Sequence, residues 1–332
     1  MLHRKQIRTA LVICSSISVI LIVYAMNKLN NNYANILRNG SGCKYVGFAN
    51  PTPGRLGNHM FFYAGVMYIA WLTGRSPCVW TKPHRRLRRH LYDVFDVDIK
   101  HINVETLGCP FHTFVQEGVY TYDKRVESLI GISDNVSLWL RGHFCSWKYI
   151  QPIASQLRQR LRFRKEVTEF AADFLAASVP PSWTGLEFVR VGVHVRRGDY
   201  LGRWARSRGF TVAGERYLRR AMSYFVERFP RVQFIVSSND IPWCQKHVKL
   251  SMFNSTDVNI TFSVKHNAGQ DLALLASCDH AVMTTGTFSW WAAWLANGTT
   301  VYYANFPRRG SRLSGRIRSN DFYHPDWIGL RD

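Results

Sequence analysis

Two adjacent arginines at the end of an apolar run are the side chains in this sequence best suited to chemistry. Residues 193–200 predict a strand that ends in Arg196 and Arg197, followed by a glycine turn and Asp199. Successive side chains of a strand point to opposite faces, so one guanidinium can enter a cleft while the other pairs inside the domain. A guanidinium presents a fixed fork of donors that matches phosphate oxygens. The segment therefore predicts a phosphate site, with an arginine–Asp199 ion pair as the alternative.

A glycine-rich turn at residues 54–59 is the second candidate. It precedes a helix-like apolar run and carries the polar side chains Arg55, Asn58 and His59. Backbone N–H groups at such a turn, and at the helix N-terminus that follows it, favour anions. Tight turns often hold two glycines, so this pattern alone is a weak signal.

Two further segments bring hydroxyl, amide and carboxyl groups to strand ends. Ser238, Asn239 and Asp240 follow a predicted strand, where they can bind a base or a ribose, or cap the next helix. Thr287 and Ser289 open a later helix, where they can hold a diphosphate oxygen or, again, cap the helix. Both interpretations stay open for each segment.

Strands and helices alternate in the second half of the chain, and this pattern predicts the elements that position these residues. The predicted strands cover residues 188–195, 232–237, 258–262, 281–284 and 300–303, and the predicted helices cover residues 215–229, 270–277 and 288–295, with a short helix around Trp243. Such alternation favours a parallel, doubly wound sheet, in which ligands bind beyond the carboxyl ends of the strands.

The first half gives fewer signals. Strand-like runs occur near residues 78–80 and 136–140, and residues 158–178 have the apolar spacing of a helix. The proline pair that follows, in residues 179–183, is the best candidate for a domain boundary. Trp290, Trp291 and Trp294 are interpreted as core rather than as sugar-stacking platforms.

The N-terminal segment predicts a membrane anchor. Residues 9–27 carry no charge, and as a helix they nearly span a hydrocarbon core of about 30 Å. The basic residues of the preceding segment 1–8 favour a cytosolic tail, which leaves a stem at residues 28–43 and the bulk of the chain in the lumen. Five N-glycosylation tripeptides and six cysteines beyond the anchor agree with that compartment. A cleaved signal peptide is the alternative.

The charge of the chain indicates an anionic partner. Lys and Arg number 43 against 22 Asp and Glu, which gives a net charge of +21. Nucleic acid, a membrane surface and a phosphorylated small molecule are the candidates, and the predicted lumenal location disfavours nucleic acid. Asp96 and Asp98 match the DxD tripeptide with which some nucleotide-binding enzymes hold a metal ion, but they lie far from the nucleotide-type half, so we predict no metal.

Residues 54–58, 194–200, 237–240 and 271–295, in this order, resemble the galactoside α-1,2-fucosyltransferase family. The resemblance covers nearly all of the chain after the stem. It implies an α/β fold of GT-B type, with two Rossmann-like domains facing each other across a cleft: an acceptor-side domain at 44–180 and a donor-binding domain at 181–332. It also implies a Golgi membrane enzyme that moves fucose from GDP-L-fucose to the 2-hydroxyl of a terminal galactose, with inversion and without a metal. A fucosyltransferase of another linkage and an inactive carbohydrate-binding relative are the alternatives.

The resemblance also assigns roles to individual residues. Arg196 should contact the β-phosphate, and Asn58 should reach the reacting centre from the opposite domain. His59 stands where many relatives carry glutamine, so it is either a catalytic base or a neutral polar replacement, and Asp199 is the other candidate base. The residues implied in donor binding are Arg55, His194, Arg197, Ser238, Asn239, Asp240, Thr287, Phe288 and Ser289.

Overall fold

The computed structural model describes residues 43–48, 54–80, 88–97, 100–102 and 108–332. Within these ranges the chain forms two sheets in which every pair of neighbouring strands is parallel. The predicted α/β class is therefore confirmed. The predicted anchor at residues 9–27 and nearly all of the predicted stem lie outside the described residues. No helix within the described ranges combines the length and the apolar character that a membrane span requires.

The first sheet is built from the first half of the chain. Its strands are β1 (Tyr45–Phe48), β2 (Ser76–Trp80), β3 (Lys100–Ile102), β4 (Phe111–Val115) and β5 (Ser137–Arg141), in the spatial order β3-β2-β1-β5-β4. Its helices are α1 (Leu56–Thr73), α2 (Trp147–Ile150), α3 (Ala154–Arg160) and α4 (Lys165–Ala177). The sequence patterns predicted β2 and β5 but not the other three strands.

The second sheet has six strands and a reversal of winding at its centre. The strands are β6 (Val189–Val195), β7 (Val232–Ser238), β8 (Val258–Phe262), β9 (His280–Met283), β10 (Thr300–Tyr303) and β11 (Ile328–Leu330), in the spatial order β11-β10-β9-β6-β7-β8. Its helices are α5 (Arg203–Arg208), α6 (Glu215–Val226), α7 (Ile241–His247), α8 (Ala268–Ala276), α9 (Thr287–Ala296) and α10 (Ser319–Phe322). This is the Rossmann strand order, which binds ligands where the winding reverses, here between β6 and β9.

Short helical turns complete the chain. They are one π-helical turn at Arg88–Tyr92 and 3-10 turns at Lys124–Gly131, Gln151–Ile153, Pro181–Trp183, Gly198–Leu201, Leu250–Met252 and Ser314–Arg316.

The elements predicted for residues 188–303 are all present, but the single helix predicted for residues 158–178 is wrong. The chain leaves the helical conformation after Arg160 and resumes it at Lys165. In between, Phe163 forms an antiparallel bridge with Phe95, and the Arg164 N–H donates to the Val94 carbonyl at 3.0 Å. Apolar spacing reports only local periodicity, so it could not detect this pairing with a distant segment.

Helix α1 is buried on nearly every side, as expected for a helix that is apolar all round. Its Phe61 ring lies 4.7 Å from the ring of Trp290 and 5.0 Å from that of Trp291, both on α9. Trp290, Trp291 and Trp294 are buried, so their interpretation as core residues is confirmed. Packing between α1 and α9 joins the two halves of the molecule.

Two segments cross between the halves. Helix α4 precedes the predicted boundary at residue 180, yet its Val167, Ala171 and Leu175 pack on the second sheet and α8. In the opposite direction, Asp321 of α10 forms an ion pair with Lys148 at 2.6 Å and accepts from the Tyr122 N–H at 3.0 Å. The domain limits at 44–180 and 181–332 therefore stay a prediction.

One disulfide joins Cys43 to Cys109. The other described cysteines, Cys78, Cys145, Cys244 and Cys278, are buried free thiols. The six cysteines beyond the predicted anchor thus include a single pair bonded to each other.

Candidate active site

A cleft of about 590 Å³ lies where the carboxyl edge of the second sheet faces the N-terminus of α1. Residues from both halves of the chain line it, as the sequence predicted. The predicted site residues along its wall are Arg55, Asn58, His194, Arg196, Asp199, Ser238, Asn239, Thr287 and Phe288. Four others, His59, Arg197, Asp240 and Ser289, lie behind this wall rather than on it.

Arg196 is fixed at the reversal point of the second sheet. Its backbone N–H donates to the Thr284 hydroxyl at 2.8 Å, and that hydroxyl donates to the His194 carbonyl at 3.1 Å. Its guanidinium pairs with the Asp199 carboxylate at 2.7 Å and lies 5.1 Å from the centre of the Tyr200 ring. The side chain is 16% exposed, so a mostly buried cation faces the cleft.

Arg197 points away from the cleft, as expected from strand alternation. Its guanidinium pairs with Asp240 at 3.2 Å and lies 3.6 Å from the centre of the Trp243 ring. Asp240 also caps α7 by accepting from the Trp243 N–H at 3.4 Å. These contacts favour a structural role for both residues, and their donor-binding role stays a prediction. The alternative interpretation, an arginine–Asp199 ion pair, is confirmed for Arg196, while the phosphate site stays a prediction.

The N-termini of α1 and α9 meet at the cleft. The Thr287 hydroxyl donates to the Asn58 side-chain oxygen at 2.6 Å, which links the two helices. A Cβ atom on Gly57 would lie only 2.6 Å from the Phe288 backbone nitrogen, so this approach requires glycine. Gly286, with a φ of +91°, turns the chain into α9. Helix N-termini carry partial positive charge, so the junction favours an anion.

His194 is a neutral hydrogen-bond acceptor toward the cleft. Burial, and secondarily the charge of Arg196, lower its pKa to about 3. Its Nδ1 lies 2.5 Å from the Ser289 hydroxyl, which donates its single proton to the Thr285 carbonyl at 3.1 Å. We assign Nδ1–H as the donor to this hydroxyl, which leaves Nε2 as the unprotonated nitrogen of the ring. Ser289, behind the wall, sets this tautomer.

Asp271 is a site residue that sequence reasoning did not assign. It lines the cleft below the ends of β7 and β8, and the Ser263 hydroxyl donates to its Oδ1 at 2.5 Å. Burial raises the pKa of Asp271, and the hydrogen bonds from Ser263 and Ser237 oppose that shift. Asp271 is the single charged residue of α8, which is otherwise apolar except for Gln270. That exception in the sequence pattern was the available signal.

Thr285 is the second missed residue. Its side chain is 1% exposed, it lines the cleft, and its hydroxyl has no hydrogen-bond partner among the described residues. Burying a hydroxyl without a partner is costly. The hydroxyl oxygen is buried beneath the surface of the cleft, so Thr285 belongs to the support of the cleft wall.

His59 and Asp199, the two candidate bases, are placed differently. His59 is 1% exposed and lies behind the wall, where its Nδ1 is 2.8 Å from the Nδ1 of His90. Asp199 lines the cleft beside Arg196. This favours Asp199 as a group that can reach substrate, while the catalytic role of either residue stays a prediction.

The described ranges hold no group of three or more His, Cys, Asp or Glu side chains placed to bind a metal ion. Asp98 of the DxD tripeptide lies outside those ranges, and Asp96 is exposed. Metal independence stays a prediction.

The fold and the site define a glycosyltransferase of GT-B-like α/β fold with two parallel sheets. The structure is similar to a point mutant of Arabidopsis thaliana FUT1 in complex with GDP, with a TM-score of 0.55 and 14% identity over 88% of this chain and 78% of that chain. It is also similar to POFUT1 in complex with GDP, with a TM-score of 0.51 and 13% identity over 79% of this chain and 99% of that chain. At these identities the likeness concerns the fold alone.

The sequence comparisons identify the family. Residues 15–331 match glycosyl transferase family 11. Galactoside alpha-(1,2)-fucosyltransferase 1 of Mus musculus is 33% identical over 287 residues, which are 84% of this chain and 71% of the mouse protein. Galactoside alpha-(1,2)-fucosyltransferase 2 of Sus scrofa is 30% identical over 286 residues, 83% of this chain and 78% of the pig protein. The chain belongs to glycosyl transferase family 11 and, as its motifs predicted, to the galactoside α-1,2-fucosyltransferases.

Proposed function

We propose that this protein transfers L-fucose from GDP-L-fucose to the 2-hydroxyl of a terminal galactose on a glycan, with inversion and without a metal ion. The observation that carries the proposal is the mostly buried guanidinium of Arg196 at the end of β6, beside the N-terminus of α9, in a member of this family. Departure of GDP is the step that this arrangement assists.

The diphosphate end of the donor matches a set of fixed hydrogen-bond donors. When the bond from fucose to the β-phosphate breaks, negative charge grows on the phosphate oxygens. Arg196 and the backbone N–H groups at the start of α9 border the same part of the cleft. Stabilisation of developing charge by preorganised hydrogen-bond donors is often the largest contribution to catalysis. Losing one such donor typically lowers the rate about 100- to 1,000-fold. These groups supply the positive field that a divalent cation supplies in metal-dependent transferases.

The guanine end of the donor matches the acceptors below β7 and β8. Guanine presents N–H donors on its pairing edge, which a carboxylate or an unprotonated imidazole nitrogen can accept. Asp271 supplies such an acceptor, while Ser238 and Asn239 line the same wall and suit the ribose hydroxyls. This arrangement supports a donor bound with its base toward β7 and β8 and its diphosphate toward Arg196.

Inversion requires one displacement at the anomeric carbon. The galactose 2-hydroxyl oxygen forms the new bond on the face opposite GDP as the bond to the β-phosphate breaks, and the hydroxyl proton leaves to a base or to water. Asn58, held by Thr287 across the cleft, is suited to orient that hydroxyl. Asp199 is the base that the geometry favours, since its second oxygen is not engaged by Arg196.

Linkage analysis of the product tests the proposal directly. The purified protein is incubated with GDP-L-fucose and phenyl β-D-galactoside, with and without a chelator. The glycosidic linkage of the product is then determined by NMR. We expect α-fucose on the 2-hydroxyl and equal rates in both samples. A different linkage would support the second fucosyltransferase hypothesis, whereas GDP binding without transfer to any glycan would support an inactive relative.

We also propose a Golgi location with a single anchor at residues 9–27 and the catalytic part in the lumen. The Cys43–Cys109 disulfide supports an oxidising compartment. Asn135 and Asn254, in two of the glycosylation tripeptides, have exposed side chains. Sensitivity of the cellular protein to an N-glycosidase, together with protease protection of its catalytic part in sealed vesicles, checks the topology.

A further inference from the structure

A second cavity of about 310 Å³ adjoins the donor cleft on the side of Asn58. The two spaces share Asn58, Tyr120, Trp204 and Phe210 in their walls. A molecule in the second cavity therefore reaches the side of the cleft where the acceptor hydroxyl is expected. This position makes the cavity the acceptor side of the site.

Trp204 provides a platform at the junction of the two spaces. The residue is 64% exposed although its ring is large and apolar. The Phe210 ring stacks beside it at 6.1 Å, and the Arg208 guanidinium lies 4.8 Å from its centre. An exposed aromatic face at a cleft entrance suits the apolar C–H face of a galactose ring.

Three arginines line the second cavity and have no acidic partner. Arg208, Arg312 and Arg316 border it, and no carboxylate of the described ranges lies within ion-pair distance of their guanidinium groups. Like charges in one cavity repel each other, and that repulsion destabilises the folded state until an anion neutralises it.

A neighbouring cavity of about 710 Å³, which Arg316 also borders, has carboxylates as well as cations in its wall. There Arg125 contacts Asp123 at 2.6 Å and Glu117 at 2.8 Å, and Lys148 contacts Asp321 at 2.6 Å. The second cavity, in contrast, has Arg208, Arg312 and Arg316 but no carboxylate among its lining residues, so its wall is purely cationic.

We propose that the acceptor is an acidic galactoside, whose galactose ring stacks on Trp204 and whose anionic group binds Arg208, Arg312 and Arg316. This inference rests on the proposed function, which supplies the galactose. The anion is a sulfate ester on the galactose or the carboxylate of an adjoining uronic acid, since both present oxygens that guanidinium groups bind in a bidentate manner.

Three acceptors test the proposal with the full-length protein. They are phenyl β-D-galactoside, its 6-sulfate ester, and a disaccharide of galactose linked to glucuronic acid. We expect kcat/KM for at least one acidic acceptor to exceed that for the neutral one by about tenfold, the worth of a charge-assisted hydrogen-bond pair. The advantage should shrink at high salt. The preferred acidic acceptor identifies the source of the anion, whereas equal kcat/KM values for all three would overturn the proposal.

Arginine variants provide the residue-level test. Arg208→Gln, Arg312→Gln and Arg316→Gln should each lower the acidic-to-neutral ratio of kcat/KM by about threefold or more. Arg219→Gln is the matched control, since Arg219 is exposed on α6 and lines none of the three cavities. An undiminished ratio in all three variants, with normal melting temperature and GDP affinity, would also overturn the proposal. If no galactoside is fucosylated, that failure contradicts only the proposed function. Calorimetry of the binding of the sulfate ester to the GDP-bound protein then tests the acidic acceptor site separately.

Discussion

The two ends of the active-site cleft differ in how their polar groups are held. At the donor end, Arg196 pairs with Asp199, His194 with Ser289, and Asp271 with Ser263. At the acceptor end, Trp204 is exposed and the cavity beside it holds arginines without acidic partners. The polar groups of the first end thus have fixed protein partners, whereas we propose that a ligand supplies the partners at the second end.

The difference has a physical consequence for specificity. Buried groups with fixed partners bind a single shape with little reorganisation, and changing one of them leaves another buried group unsatisfied. Exposed side chains can change at small cost to folding. Acceptor choice in this fold can therefore vary while the donor site stays intact.

The largest expected effect falls on the donor end. Arg196→Ala should lower kcat about 100- to 1,000-fold, because the variant loses a cation where negative charge grows on the β-phosphate. Steady-state kinetics with GDP-L-fucose and phenyl β-D-galactoside measure this. Arg197→Ala is the matched control: it should lower the free energy of unfolding by about 1–3 kcal/mol through the lost Asp240 and Trp243 contacts, with a far smaller loss of kcat. Equal losses of kcat in both variants would contradict the assignment.

The next effect concerns the guanine end. Asp271→Asn should weaken GDP binding about 10- to 100-fold, because a charged acceptor for guanine N–H groups is lost. Burial raises the pKa of Asp271, so protonation begins at a higher pH than for an exposed aspartate. GDP affinity, measured by calorimetry, should therefore be greatest near neutral pH and fall as pH is lowered toward this raised pKa. The same fall in the Asn variant would show that another group is responsible.

A smaller effect is expected at the acceptor end. Trp204→Ala should raise the KM for phenyl β-D-galactoside about tenfold, the worth of one stacking face. GDP affinity should change much less. A larger change in GDP affinity than in acceptor KM would place Trp204 at the donor end and weaken the contrast between the two ends.

The smallest effect tests the preorganisation of the donor end. Ser289→Ala removes the hydroxyl that sets the tautomer of His194 without touching the cleft wall. One hydrogen bond is worth about 1 kcal/mol, so GDP should bind about fivefold more weakly. Competition binding with GDP measures this, and an unchanged affinity would exclude Ser289 as a positioning residue.

The sequence correctly predicted the elements and site residues whose pattern lies in consecutive residues of the chain. The alternation of strands and helices after residue 188 indicated the second sheet, and the strand-end position of Arg196 indicated the cleft. It failed where local signals are weak or contacts are long-range: β3 has three residues, β4 is exposed at four of its five positions, and the break near Phe163 depends on pairing with Phe95. Asp271 and Thr285 escaped because their role depends on burial, which residue type alone does not report.

The sequence by itself determined the α/β class, the family and the residues that gather at the carboxyl edge of the second sheet. These follow from periodicity and motif order, which are properties of neighbouring residues. Tertiary structure alone decided that Arg197 turns inward, that His59 lies behind the wall, and that Trp204 and the unpaired arginines share one cavity. Such facts depend on which distant segments pack together, since packing sets the burial, the partners and the charge that each side chain experiences.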